Sequence, residues 1–158
     1  MSCSLASCVS SPSKATQADV MSGPEIKTGN VEMINADALR CQISSAKLTI
    51  VGEDVFTRTA ITEATIEKYG QTMSIPADDP RIIKLSQILA DAVLGNATLD
   101  KFEPRMMILA NCADGTTRKI IGSRLSSDNV QNLDIDGQVY STVSSLRAKL
   151  EALLPPKN

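Results

Sequence analysis

The segment that most constrains what this chain can fold into is Arg105 followed by MMILANCADGTTRKII, ending at Ile121. Two apolar runs, Met106–Ala110 and Thr116–Ile121, flank Asp114-Gly115. Asp-Gly between β-forming residues is a strong short-range hairpin signal, because a type I′ turn requires positive φ at both central residues. No other stretch is as apolar over so short a length. The pattern predicts a β-hairpin at the buried middle of a sheet.

The chain of 158 residues is long enough for one domain with a sizeable core and short for two. Two Phe, two Tyr and no Trp require that core to be aliphatic. The net charge is −2, with Lys and Arg scattered along the chain. Nucleic-acid binding calls for a basic stripe with stacking aromatics, so no nucleic-acid partner is expected. No apolar run reaches the length of a transmembrane helix.

The absence of histidine narrows the chemistry further. It removes Ser-His-Asp and Cys-His catalysis, histidine acid–base work and every histidine-containing metal site. The four cysteines, Cys3, Cys8, Cys41 and Cys112, include no C-x-x-C pair, so zinc knuckles and thioredoxin-type motifs are excluded. No phosphate-binding glycine loop or nucleophile elbow occurs. We expect no cofactor, no metal and no small-molecule substrate.

Along the chain, Val31–Arg40 reads as a helical lead-in and Gln42–Val51 as a strand. Val55–Thr62 is extended and leads to a short helix over Glu63–Tyr69, stopped by Gly70. Gln71–Ile75 is a strand. Asp79 caps a helix running from Pro80 to about Leu94, with Pro80 at its first position. After the central hairpin comes a smaller one, Leu133–Ile135 and Gln138–Tyr140 around Asp136-Gly137. A final helix begins at Ser141 or Thr142 and ends at Leu154. The order β-α-β-α-β-β-β-β-α predicts a single small α+β domain over residues 31–158. Its sheet should be mostly antiparallel, with helices packed on one face.

Leu5-Ala6-Ser7-Cys8 places an aliphatic residue and two small ones before a cysteine, and Val9–Asn30 is rich in Ser, Pro, Gly, Thr and Lys. In these features residues 1–30 resemble the lipobox and flexible tether of a bacterial lipoprotein. The resemblance implies lipidation at Cys8 and a periplasm-facing place at the cell envelope. It is confined to these residues and implies nothing about the fold of the rest. A secretory signal also needs a basic start and an apolar stretch of roughly 7–15 residues before the cysteine. Only Met1–Ser7 precede Cys8, with no Lys or Arg, so that signal would lie upstream. The alternative is a cytoplasmic chain with two free N-terminal thiols.

Cys41 and Cys112 each sit at the end of a predicted strand. If those strands are neighbours, a disulfide is geometrically possible, and it would suit the periplasm. The other reading is two separate buried thiols. Asp78-Asp79 and the Asp134/Asp136 pair are better read as a helix cap and turn flanks than as cation ligands. Arg58, in an extended segment, is the candidate for gripping a partner's carboxylate. Lys47 and Lys119 are the lysines a Ser-Lys dyad would need, and neither lies near a serine motif. We expect a non-enzymatic envelope protein that binds another protein, in its most specific form an immunity protein or inhibitor that neutralises a toxin. A structural or assembly lipoprotein and a small histidine-free enzyme are the alternatives.

Overall fold

A computed structural model describes residues 39–97, 102–126, 130–142 and 146–156. Cys8, the tether and the lead-in up to residue 38 lie outside the described residues. Seven strands form one sheet in the order β2-β1-β4-β5-β6-β7-β3, every neighbouring pair antiparallel. The strands are β1 (Ile43–Ile50), β2 (Gln71–Ile75), β3 (Leu94–Asn96), β4 (Pro104–Cys112), β5 (Thr117–Ser123), β6 (Gln131–Ile135) and β7 (Gln138–Thr142). Among the described residues three short helices accompany them: α1 (Ile66–Tyr69), α2 (Arg81–Ala90) and α3 (Leu146–Glu151). The α+β class and the mostly antiparallel sheet agree with the expectation.

The predicted hairpin is β4–β5, and it occupies the middle of the sheet order. Its run MMILA does not alternate because both of its faces are covered. Met106, Ile108 and Ala110 belong to one apolar cluster, which also holds Leu85 and Leu89 of α2 and Leu146 and Leu150 of α3. Met107 belongs to a second cluster with Val51, Ile61, Ile121 and Ile66 of α1. The first cluster is aliphatic apart from Tyr140.

The apolar residues of β1 break period two, since Ile43 is odd-numbered while Ala46, Leu48 and Ile50 are even. A bulge resolves this. Ile43 faces Cys112 and Ser45 faces Asn111, so β1 advances two residues where β4 advances one. An extra residue in one strand reverses the sidedness beyond it. All four side chains therefore join the same cluster.

The two Asp-Gly turns differ, and the first corrects the expectation. At Asp114-Gly115 only the glycine has positive φ, 84°. Gly115 donates its N–H to Cys112 O (3.0 Å) and Cys112 donates to Thr116 O (2.8 Å), which makes a three-residue loop with glycine in the left-handed position. Asp114 Oδ1 accepts the Thr116 backbone N–H at 2.9 Å. The type I′ geometry is found at the second hairpin, where Asp136 and Gly137 have φ of 52° and 93° between the paired Ile135 and Gln138.

Helix boundaries also move: α1 begins at Ile66 rather than Glu63 and α3 ends at Glu151 rather than Leu154, and two further limits give way to strands. The helix expected to reach Leu94 stops at Ala90, and Leu94–Asn96 instead pairs with Thr142, Ser141 and Tyr140 of β7. Ser141 and Thr142, expected to open the last helix, are the end of β7. In both places a partner strand overrides a helical pattern. α2 begins at Arg81 with Pro80 at the cap position instead of the first helical one, and Asp79 Oδ1, one residue further out, accepts the Arg81 backbone N–H (2.9 Å).

Cys41 and Cys112 form a disulfide with a Cα–Cα distance of 5.8 Å. They meet because β1 pairs with β4, and Ala113 extends that pairing by donating to Gln42 O at 2.8 Å. The bond closes a loop with a sequence separation of 71. Chain-entropy arithmetic for such a loop gives about 4 kcal/mol. A Cys41→Ser/Cys112→Ser variant should lose about that much unfolding free energy in urea titrations.

The Asp79 carboxyl is held at about 2, first by the hydrogen bond from the Arg81 side chain and then by the Arg81 backbone N–H. A depressed folded-state value contributes stability above the unfolded value and loses it as pH falls through the folded one. The stability difference between the native protein and Asp79→Asn should therefore narrow between about pH 4 and pH 2. Urea midpoints measured across that range check this.

Candidate functional site

The loop that leaves β1 is held by three arginines from three separate parts of the chain. Arg105, near the start of β4, donates Nη1 to Gly52 O (3.1 Å) and Val55 O (2.7 Å), and Nη2 to Glu103 Oε1 (2.7 Å). Arg147 of α3 donates Nη2 to Val51 O and Nε to Glu151 Oε1 (2.8 Å). Its Nη1 lies 2.7 Å from Glu53 Oε1. Arg124, just past β5, donates Nη2 to Glu53 O (2.7 Å) and Nε to Glu53 Oε2 (3.1 Å). Four loop carbonyls, those of Val51, Gly52, Glu53 and Val55, thus have guanidinium donors.

Arg105 and Arg147 are buried, at 1% and 3% exposure. A buried guanidinium is tolerable only with opposite charge and hydrogen bonds around it. Glu53, Glu103 and Glu151 balance the three arginines charge for charge. The planar fork of Arg suits this task, since it reaches two carbonyls or a carbonyl and a carboxylate at once.

At the tip of the clamped loop Phe56 is 79% exposed, and the Arg124 guanidinium lies 5.1 Å from its ring centre. Beside the loop an open cavity of about 700 Å³ is lined by Glu53, Asp54, Arg147, Glu151, Leu154 and Pro155, among others. Gln71 Nε2 donates to Pro155 O at 3.0 Å and ties this wall to the edge of β2.

The residues singled out in the sequence fall elsewhere. Arg58 is exposed, four residues beyond Asp54, and takes no part in the clamp. Asp134 accepts the Gly137 N–H, and Asp136 accepts from Arg118 and from the Lys119 backbone, so this pair serves its turn. Lys47 and Lys119 bind Glu67 and Glu63. The hydrogen bond that Lys119 donates to Glu63 raises its amine above the ordinary value, opposite to the shift an amine nucleophile or base needs. Among the described residues no group of three or more Cys, Asp or Glu is placed to hold a metal ion.

Arg105, Arg124 and Arg147 were not singled out in the sequence. Two faint signals existed: a charge at the head of the most apolar strand, and an Arg147/Glu151 pair at i,i+4 spacing within the leucine stripe of the last helix. Neither reveals that the arginines converge, because convergence depends on the register of β1 against β4. No protein-family model, curated protein or solved structure matches this chain.

Replacing Arg105 by Met keeps the bulk but strips Gly52 O and Val55 O of their donors. It should cost about 3 kcal/mol in urea unfolding. Arg58→Ala, on an exposed side chain, should change stability by less than about 0.5 kcal/mol.

Proposed function

We propose that this chain is a non-enzymatic binding protein of the bacterial cell envelope, anchored by lipid on Cys8 and facing the periplasm. In this reading α2 and α3 form the layer over one sheet face, and the loop with its three arginines is the working surface. The partner is another protein; in the most specific form it is a toxin that this chain neutralises.

The Cys41–Cys112 disulfide carries the proposal. Structural disulfides form and persist in oxidising compartments and are rare in the cytosol. The lipobox-like Leu5-Ala6-Ser7-Cys8 points the same way. One acyl chain binds a membrane only marginally, whereas two or more anchor it stably. A domain tethered to a membrane meets its partners at raised local concentration.

One feature favours a structural or assembly role instead. β2 is an edge strand, and Gln71–Ile75 contains no charged residue and no proline. Edges of that kind are open to pairing with another strand. A strictly monomeric protein by light scattering would remove this second role.

The deciding measurement is the intact mass of the protein from its own cells, after thiol alkylation without reductant. The expected product carries acyl groups at Cys8 and leaves Cys41 and Cys112 unalkylated. An unacylated chain with all four thiols alkylated would overturn the envelope assignment. Affinity capture that repeatedly recovers no toxic enzyme from producing or competing strains would remove the toxin-neutralising form.

A further inference from the structure

We propose that the clamped loop and the adjacent cavity form one docking surface for a basic protein segment, in which a partner Lys or Arg enters the cavity while an apolar partner residue packs on Phe56. The inference rests on the reading of this chain as a protein-binding protein. It adds where contact is made and what chemistry the partner brings.

Phe56 is one half of the chain's phenylalanine content, and it stands 79% exposed instead of in the core. Among the described residues it is also the most exposed of the large apolar side chains, ahead of Ile83 at 64% and Val93 at 41%. Buried aromatics dominate interface energies, so an exposed ring is an anchor that a partner can cover. The loop carrying it is already fixed by donors on four carbonyls, so docking orders little additional backbone.

Charge then selects the partner. Glu53, Asp54 and Glu151 line the cavity, and Arg147 is the basic residue among its lining groups. The Arg147 guanidinium is 3% exposed and is taken up by Glu53, Glu151 and Val51 O. Asp54 is exposed. With Glu53 and Glu151 set against Arg124 and Arg147, the exposed Asp54 carboxylate leaves the opening net negative, which attracts a cation and repels an acidic segment. Leu154 and Pro155 supply an apolar wall for the methylene stem of a Lys or Arg. The two halves are one surface, because Arg124 contacts Phe56 through its guanidinium and Glu53 through Nε.

A displayed random-peptide library selected on the immobilised full chain tests this. Enriched peptides should carry Lys or Arg beside an apolar residue. Synthetic copies should bind about tenfold more weakly to Asp54→Lys and several-fold more weakly to Phe56→Ala. Both positions are exposed, so both variants should keep the native urea midpoint. Asp54→Asn serves as the milder change if the reversal disturbs folding. No enrichment, enrichment of acidic peptides, or binding indifferent to both positions would overturn the docking surface. An unacylated, fully reduced protein that still selects basic peptides would remove only the envelope assignment. An acylated, disulfide-bonded protein that selects none would remove only this surface.

Discussion

Covering β4 on both faces is the constraint from which most of the structure follows. Met106, Ile108 and Ala110 need one apolar layer and Met107 needs another. α2 and α3 contribute to the first, while Val51, Ile61 and Ile66 contribute to the second. Ile50 of β1 pairs with Met106 of β4 and Val51 donates to Arg105 O at 2.8 Å, so the strand register itself brings the loop that follows β1 within reach of Arg105. Burying apolar area is the main favourable term here, as in other domains. The polar clamp is arranged around that burial and does not replace it.

Little net stability is expected from the clamp itself. Desolvating a guanidinium costs several kcal/mol. Three charge-assisted hydrogen bonds, as Arg105 makes, return about 4–9 kcal/mol at about 1.5–3 each. The two sides nearly cancel. What remains is geometric, since four carbonyls pointed at fixed donors leave the loop one conformation. Removing a single donor is costly all the same, because the carbonyls stay where they are and lose their partners.

Where the determinant of structure is local, the element is legible in the sequence, though not its finer geometry: the turn type at Asp114-Gly115 differs from the expected type I′. Asp114-Gly115 marks the central hairpin, Asp79-Pro80 marks the start of α2, and the lack of aromatics foretells an aliphatic core. The elements that differ most from expectation depend on distant partners. β3 is three residues long, too short for any periodicity, and exists because β7 is beside it. Ser141 and Thr142 look like a helix start but are claimed by β6 and β3. The candidate site was the least legible part. Arg58 stood out as a cation in a local setting, whereas Arg105, Arg124 and Arg147 gain their meaning only when β1, β4, β5 and α3 are assembled. Cys41 and Cys112 lie between these cases: their positions at strand ends were visible, and the adjacency of those strands was not.

The placing of β3 has a consequence for the order in which the chain acquires its structure. β2 and β3 are joined through α2, yet they lie at opposite edges of the sheet. β3 is therefore made early during synthesis and has nothing to pair with until β7 emerges, more than forty residues later. β1 can pair with β2 sooner, but its other edge waits for β4. Contacts so far apart in sequence close slowly, because the loop entropy is lost before the contact is gained. Folding should start at the local hairpins β4–β5 and β6–β7, with β3 among the last amides to become protected from exchange. Until then the flank of β7 that β3 will cover stays open, and a nascent chain is most exposed there to pairing with a neighbour.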